Sequence, residues 1–155
     1  MLARRLGYGF VDTDLVIESR AGCSVAEFFE EYGEPAFREQ ETKIAEELSS
    51  KSELVIATGG GMLVNPENQR LLEISGKIFC LTASENEIIK RLSGPRARAQ
   101  RPLLKTTDLK QHVKEMLAKR RDTYAKFTQI DTSGKSSKKA ADELMNIVQS
   151  FQNEG

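Results

Sequence analysis

A chain of 155 residues has the length of one domain, and 39% hydrophobic with 30% charged residues is the composition of an ordinary globular protein. Its 23 Lys and Arg residues balance its 23 Asp and Glu residues, so no overall charge attracts nucleic acid or a membrane surface. Because the chain has no long apolar segment, neither a signal peptide nor a membrane span is predicted, and a cytoplasmic location is expected.

The two cysteines and the single histidine do not form a metal-ligating pattern. Cys80 lies within the apolar run at 78–81 and is predicted to be a small buried hydrophobic residue. Its surroundings differ from those of Cys23, and a disulfide between them is not expected. His112 falls in a charged helical stretch, which favours a solvated surface residue over a ligand or a base.

Strand-like and helical segments alternate along the chain, and several helix ends carry a recognisable signal. Ser24 and Glu27 form a capping box at the start of one helix, Gly33 ends that helix, and Pro35 opens the next. Residues 93–105 contain Pro, Gly and several Arg with weak periodicity, which predicts a long loop. Helices are predicted at 2–6, 24–33, 35–48, 65–76, 108–124 and 140–151, with one more after Ser84, and strands at 10–11, 53–58, 78–82 and 127–130.

Short apolar strands that alternate with helices predict an α/β fold, a parallel sheet between two layers of helices. Ligands of such sheets bind beyond the carboxyl ends of the strands. Three motifs follow predicted strands: Asp12-Thr13-Asp14, Gly59-Gly60-Gly61 and the loop at 131–136. We therefore expect these motifs to lie along one edge of the sheet and to form the site.

Two carboxylates, Asp12 and Asp14, flank Thr13 directly after a predicted strand. Alternation along an extended chain would point both carboxylates to the same side. Such a pair suits a magnesium ion, held directly or through water, and a nearby substrate hydroxyl. The alternative is that they cap the following helix, a role open to Asp14.

The glycine triplet at 59–61 follows a predicted buried strand. Without side chains, its backbone N–H groups could approach a ligand closely. The alternative is a flexible turn, but three consecutive glycines cost conformational entropy that an ordinary turn does not require.

Arginines are the candidate anion-binding residues. Arg38 lies on an otherwise acidic helix and Arg120 near the end of another. A guanidinium group can bind a carboxylate or a phosphate through two parallel hydrogen bonds, although each of these residues could also be a solvated surface arginine. Four more arginines lie in or beside the long loop: Arg91, Arg96, Arg98 and Arg101. The absence of interleaved aromatic residues argues against a nucleic-acid site there.

Five motifs, each at a place already marked by these patterns, together resemble the shikimate kinase family over nearly the whole chain. No single motif is decisive, but five in register are specific. In chain order they are Leu-Gly-Tyr-Gly-Phe-Val-Asp12-Thr-Asp14, Gly33-Glu-Pro-Ala-Phe-Arg38-Glu-Gln-Glu, Ala57-Thr-Gly59-Gly-Gly61, Arg101-Pro-Leu-Leu and Lys119-Arg120-x-x-x-Tyr124.

The resemblance implies one domain over 1–155 with a nucleoside-monophosphate-kinase-like fold, a lid loop at about 93–106, and a monomeric state. It also implies transfer of the ATP γ-phosphate, with Mg²⁺, to the 3-hydroxyl of shikimate, a step of chorismate and aromatic amino-acid biosynthesis. By this resemblance, Asp14 would bind the substrate hydroxyls and take the acceptor proton, and Asp12 would lie near the metal. Arg38 and Arg120 would bind the substrate carboxylate, and the pocket would be lined by Gly59, Gly60 and Gly61. Arg101 would stabilise the transferring phosphoryl group, and Ser136 would lie in the loop beside the adenine.

The family's phosphate-binding loop has the pattern G-x-x-x-x-G-K-[S/T] after the first, central strand, and the family places both ahead of the helix that residues 2–6 resemble. These 155 residues contain no such pattern. Gly134-Lys135-Ser136 matches its end, but Gln129 stands where the first glycine is required and Asp131 would repel phosphate. We therefore expect impaired phosphate transfer by this chain, and strand edges open to association.

Two alternatives stay open. One is a non-catalytic regulatory protein that binds shikimate or another small anion on a fold derived from the kinase. The other is a kinase of a different small molecule, such as gluconate, although that function explains Arg38, the glycine triplet and Arg120 less well.

Overall fold

The structure, a computed structural model, describes residues 1–94 and 108–153. Strands and helices alternate in it as the sequence predicts, and most predicted boundaries hold within one or two residues. In chain order the elements are α1 (Leu2–Leu6), β1 (Gly9–Asp12), α2 (Thr13–Ala21), α3 (Val25–Leu48), β2 (Leu54–Ala57), a 3-10 helix (Met62–Val64), α4 (Pro66–Glu73), β3 (Phe79–Thr82), α5 (Glu85–Leu92), α6 (Leu109–Tyr124), β4 (Thr128–Asp131) and α7 (Ser137–Asn153).

The capping residues explain where several helices begin and end. The Ser24 side chain accepts a hydrogen bond from the Glu27 N–H while Glu27 bonds back to Ser24, so the predicted capping box is confirmed. Asn65 and Ser84 cap α4 and α5 in a similar way. Gly7 ends α1 in the left-handed conformation, with φ 72°, which glycine adopts without strain.

Helix α3 is broken near its first third. Gly33 has φ 78° and ψ 172°, which no helical residue has, and Pro35 follows two residues later. The predicted end of one helix at Gly33 and start of another at Pro35 are therefore confirmed, and α3 consists of two helical parts on either side of this kink. The break places Glu34 and Arg38 at the start of the second helical part.

The strands form two parallel pairs within the described residues. Strand β1 pairs with β2, with Val11 opposite Ile56, and β3 pairs with β4, with Leu81 opposite Ile130. The sequence predicts one sheet and a buried strand at 53–58, yet all four residues of β2 are only half-buried. That prediction of burial is wrong because, in the part of the chain that the structure describes, β2 has a strand partner on one side only.

The larger apolar cluster packs α2, α3 and α4 against β1 and β2. Ile17, Ile44 and Met62 are at most 2% exposed there. A smaller described cluster joins Leu92 of α5 to Val113 of α6. Cys80 is buried as predicted, and both cysteines are free thiols. Across residues 1–94 and 108–153, no helix combines the length and the apolar character that a membrane crossing requires.

Candidate active site

Asp12 is the last residue of β1 and caps α2. Its Oδ1 accepts hydrogen bonds from the N–H groups of Asp14, at 3.0 Å, and Leu15, at 3.3 Å. The expectation that Asp12 and Asp14 point to the same side of an extended chain is wrong, because α2 already starts at Thr13. The capping role considered for Asp14 belongs to Asp12 instead.

Asp14 lies in the first turn of α2, where the helix dipole stabilises a carboxylate. Thr13 beside it is fully buried, and its hydroxyl donates to the Ala57 carbonyl of β2 at 3.4 Å. This contact holds the start of α2 against the end of the neighbouring strand. Asp14 thereby faces the residues that follow β2, as expected for the carboxyl ends of parallel strands.

The glycine triplet 59–61 is surrounded by the candidate site residues. A methyl group on Gly59 would lie 3.1 Å from Asp14 Oδ1, one on Gly60 would lie 2.6 Å from Arg120 Nη1, and one on Gly61 would lie 2.6 Å from both Nη atoms of Arg38. None of the three glycines has a positive φ. They are required because three charged side chains pack against the backbone there, a reason that the sequence alone does not reveal.

Arg38 is held between two carboxylates of its own helix. Its Nη1 donates to Glu41 Oε2 at 2.8 Å and its Nη2 to Glu34 Oε1 at 2.9 Å. Burial by itself lowers the pKa of Arg38, but the hydrogen bonds and negative charges of Glu41 and Glu34 outweigh it and raise that pKa. Arg38 therefore keeps its positive charge beside the triplet.

Glu41 belongs to the site although its side chain carries no predicted role. It is 1% exposed, and only its Oε2 has a hydrogen-bond partner among the described residues. Burial raises the pKa of Glu41 and the charge of Asp14 adds to the increase, against the opposing effects of Arg38 and Arg120. The available signal was its position three residues after Arg38, on the same helix face.

Arg120 and Tyr124 bring α6 to the triplet. The Tyr124 hydroxyl donates to the Gly60 carbonyl at 2.7 Å, and Arg120 Nη1 lies 3.5 Å from that hydroxyl. The two residues are one helical turn apart, so both reach the same backbone segment. Arg38 and Arg120 thus approach the triplet from different helices, as the sequence predicts, and Tyr124 is a further contact that carries no role in that prediction.

A cavity of about 310 Å³ extends from the two arginines between α3 and α6. His112 lines it, and its Nε2 is buried without a hydrogen-bond partner in the described parts of the chain. His112 is therefore half-buried at the cavity, with its Nε2 out of contact with solvent, rather than fully solvated as predicted. The charged residues along the cavity are Glu34, Arg38, Glu115, Lys119 and Arg120.

The remaining predicted residues lie elsewhere. Arg91 donates to Thr132 Oγ1 and to the Thr132 carbonyl, each at 3.0 Å, and so ties α5 to the loop after β4. The Ser136 hydroxyl accepts from the Lys139 N–H at 3.2 Å, a helix-capping contact at the start of α7. Arg96, Arg98, Arg101 and most of the predicted lid at 93–106 lie outside the described residues.

The oxygen donors suit a magnesium ion only in part. Within the described ranges, no three His, Cys, Asp or Glu side chains are grouped as a metal site. Mg²⁺ commonly takes one or two carboxylates and completes its shell with water and substrate phosphates. Asp12 meets this requirement, since only its Oδ1 is used in capping α2.

Comparisons with known proteins show the family of this chain. The family model described as shikimate kinase matches residues 1–149. The chain belongs to the shikimate kinase family. A shikimate kinase of Geobacter sulfurreducens is 42% identical over 153 residues, 98% of this chain and 83% of that protein. One of Thermodesulfovibrio yellowstonii is 38% identical over 154 residues, 99% of this chain and 87% of that protein.

Solved structures of the family share the fold. A shikimate kinase from Acinetobacter baumannii in complex with shikimate matches with a TM-score of 0.88 and 30% identity, over 97% of this chain and 83% of that one. One from Aquifex aeolicus matches with a TM-score of 0.81 and 28% identity, over 99% of this chain and 89% of that one. The α/β fold and the family predicted from the five motifs are confirmed, and the chain is a kinase of the shikimate kinase family.

Proposed function

We propose that this kinase transfers the γ-phosphate of ATP to the 3-hydroxyl of shikimate. One observation carries the proposal: Asp14, Arg38 and Arg120 come from three different helices and converge on the glycine triplet. Two guanidinium groups and one carboxylate suit a substrate that has a carboxylate at one end and hydroxyls at the other. The relatives named shikimate kinase support this choice of substrate.

In this proposal Arg38 and Arg120 bind the carboxylate of shikimate, and Gly59, Gly60 and Gly61 leave room for the ring. Asp14 accepts the proton of the 3-hydroxyl while the oxygen of that hydroxyl bonds to the γ-phosphorus. The bond from this phosphorus to the oxygen that bridges it to the β-phosphate breaks, and ADP leaves. A carboxylate held at a helix N-terminus is suited to bind and orient the acceptor hydroxyl.

Mg²⁺, when bound with the nucleotide, neutralises charge on the phosphates, and we assign Asp12 to that site. For nucleotide binding, we assign Arg101 to the transferring phosphoryl group. We assign the 131–136 loop, with Ser136, to the adenine. Because the Ser136 hydroxyl already caps α7, the backbone of this loop would contact the nucleotide as much as the Ser136 side chain would.

The same residues motivate a second candidate function. The substrate side has all of its predicted residues, but these 155 residues contain no G-x-x-x-x-G-K-[S/T] pattern to cradle phosphate. If turnover is absent even when such a loop is supplied, a non-catalytic shikimate-binding role is the better description.

The test is a coupled ADP-release assay with ATP, magnesium and shikimate on mass-verified chain, together with calorimetric titration of shikimate. We expect shikimate binding, weak turnover, and recovery of turnover when an upstream strand and phosphate-binding loop are added. In the protein to which that strand and loop have been added, Asp14→Asn should lower kcat by about a hundredfold or more. An absence of shikimate binding would contradict the proposed substrate, and turnover at a normal kinase rate by the bare chain would contradict the expected impairment.

A further inference from the structure

Glu34 occupies a hydrogen-bond donor of Arg38 that a substrate carboxylate would use. One N–H of each terminal nitrogen is engaged, that of Nη1 with Glu41 at 2.8 Å and that of Nη2 with Glu34 at 2.9 Å. We propose that Glu34 is an internal competitor, which the carboxylate of the substrate displaces on binding, and that it thereby determines which anions enter the site. This inference rests on the proposed function, since it takes the substrate to be a carboxylate that binds Arg38.

The two carboxylates around Arg38 differ in burial, which decides which of them can be exchanged. The Glu41 side chain is 1% exposed, and the Glu34 side chain is 52% exposed and borders the cavity. An ion pair with a carboxylate this exposed contributes little, because Glu34 regains its hydration when it leaves, and the 29% exposed Arg38 keeps Glu41 as a partner. Glu34 can therefore leave Arg38 at low cost, while Glu41 stays.

Arg38 does not need Glu34 to hold its position. Glu41 fixes Nη1 from the buried side, and both Nη atoms lie against the backbone at Gly61. The Phe37 ring also lies beneath the guanidinium, with 5.7 Å between the ring centroid and the central carbon. Removing the Glu34 charge should therefore leave the guanidinium in place with a donor free for the substrate.

The local charges point in the same direction. On the α3 side of the cavity, two carboxylates flank one guanidinium, so an approaching anion meets repulsion as well as attraction. The cations on the other side are Lys119 and Arg120 of α6. Glu115 of α6 also borders the cavity, so neutralising Glu34 removes one of two exposed carboxylates there, the one bound to Arg38, and should strengthen the binding of any carboxylate at that guanidinium.

Selectivity follows from the tether. Glu34 is on the same helix as Arg38, four residues away, so it competes as an intramolecular ligand at high effective concentration. A small anion that contacts Arg38 alone gains no more than Glu34 already provides. Glu34 raises the dissociation constant of every carboxylate that must displace it by about the same factor. A weak anion that contacts Arg38 alone is therefore kept out, while a substrate that also contacts Arg120 and Asp14 keeps enough affinity to bind.

The experiment compares Glu34→Gln with Glu39→Gln, which removes the same charge from the same helix but from an ion pair with Lys43. Calorimetry measures shikimate affinity, and acetate serves as the small competing anion. We expect Glu34→Gln to bind shikimate about two- to fivefold more tightly, and acetate to compete at lower concentration. Glu39→Gln should match the unmodified chain.

Unchanged or weaker shikimate binding by Glu34→Gln, with its melting temperature preserved, would overturn the inference and make Glu34 a support for Arg38. If Glu34→Gln lowers the melting temperature, the same titrations of Glu34→Ala show whether loss of the Glu34 carboxylate strengthens or weakens shikimate binding. Failure of the proposed function has a different signature: none of the proteins, the unmodified chain included, would bind shikimate.

Discussion

The two halves of the molecule contribute to the site in different ways. The β1–β2 half, residues 9–73, contains the larger apolar cluster and supplies Asp14, Arg38, Glu41 and the glycine triplet. The β3–β4 half, residues 79–94 and 108–153, has the smaller described cluster and supplies Arg120 and Tyr124. One half therefore builds most of the pocket, and the other completes it by docking α6 on the triplet.

The two halves position their site residues by different contacts. In the β1–β2 half, charged groups are positioned by burial and by short contacts, as Glu41 and Arg38 show. In the β3–β4 half, position depends on the hydroxyl of Tyr124 against the Gly60 carbonyl. Variants of the first half should affect stability and function together, and variants at the junction should affect mainly binding.

Arg38→Ala should cause the largest loss. It removes charge-assisted hydrogen bonds to the substrate and leaves Glu41 buried without its partner, so we expect kcat/KM to fall by at least about a hundredfold and the free energy of unfolding by about 3 kcal/mol. Adding Glu41→Gln should restore much of the stability and none of the activity. Arg20→Ala is the control, because its pair with Glu47 is exposed. Equal losses in both single variants would show that Arg38 has no special role.

Gly60→Ala should separate binding from stability. The new methyl group would lie 2.6 Å from Arg120 Nη1, and the flexible arginine would move away at little cost to folding. We expect KM for shikimate to rise about tenfold with a nearly unchanged melting temperature. An unaltered KM would mean that Arg120 does not need its place against the triplet.

Tyr124→Phe tests the junction between the halves. It removes one hydroxyl and leaves the Gly60 carbonyl without this donor, so shikimate affinity should fall about three- to tenfold, as calorimetry would measure. Tyr32→Phe is the control, since that ring is 54% exposed and packs against Phe28. A fall in kcat alone, with affinity intact, would argue against a positioning role for Tyr124.

Glu41→Gln should change how stability depends on pH. Because burial raises the folded-state pKa of Glu41 above its ordinary 4.5, its contribution to folding is fully present below that value and is lost as the pH rises through the folded-state pKa. Glutamine keeps the neutral form at every pH. The free energy of unfolding of Glu41→Gln, relative to the unmodified chain, should therefore increase from pH 4.5 upward in denaturant titrations; a flat difference would contradict the raised pKa.

Several parts of the fold were predictable because their signals are local. The capping box at Ser24, the break at Gly33 and the cap at Asn65 depend on residues a few positions apart. The burial of β2 was not, since it depends on which strands become its neighbours. The geometry of Asp12 and Asp14 was missed because the helix starts two residues earlier than the extended-chain argument requires.

The order of elements, the family and most of the residues that converge on the site were predictable from the sequence, because they follow from periodicity, helix caps and five spaced motifs. Three features became visible in the folded chain alone: why the triplet consists of glycines, which carboxylates hold Arg38, and how Tyr124 contacts the triplet across the junction. Those features are contacts between groups that separate elements, or the directions of side chains, bring together. The energies of such contacts depend on distance and burial, and spacing along a chain specifies neither.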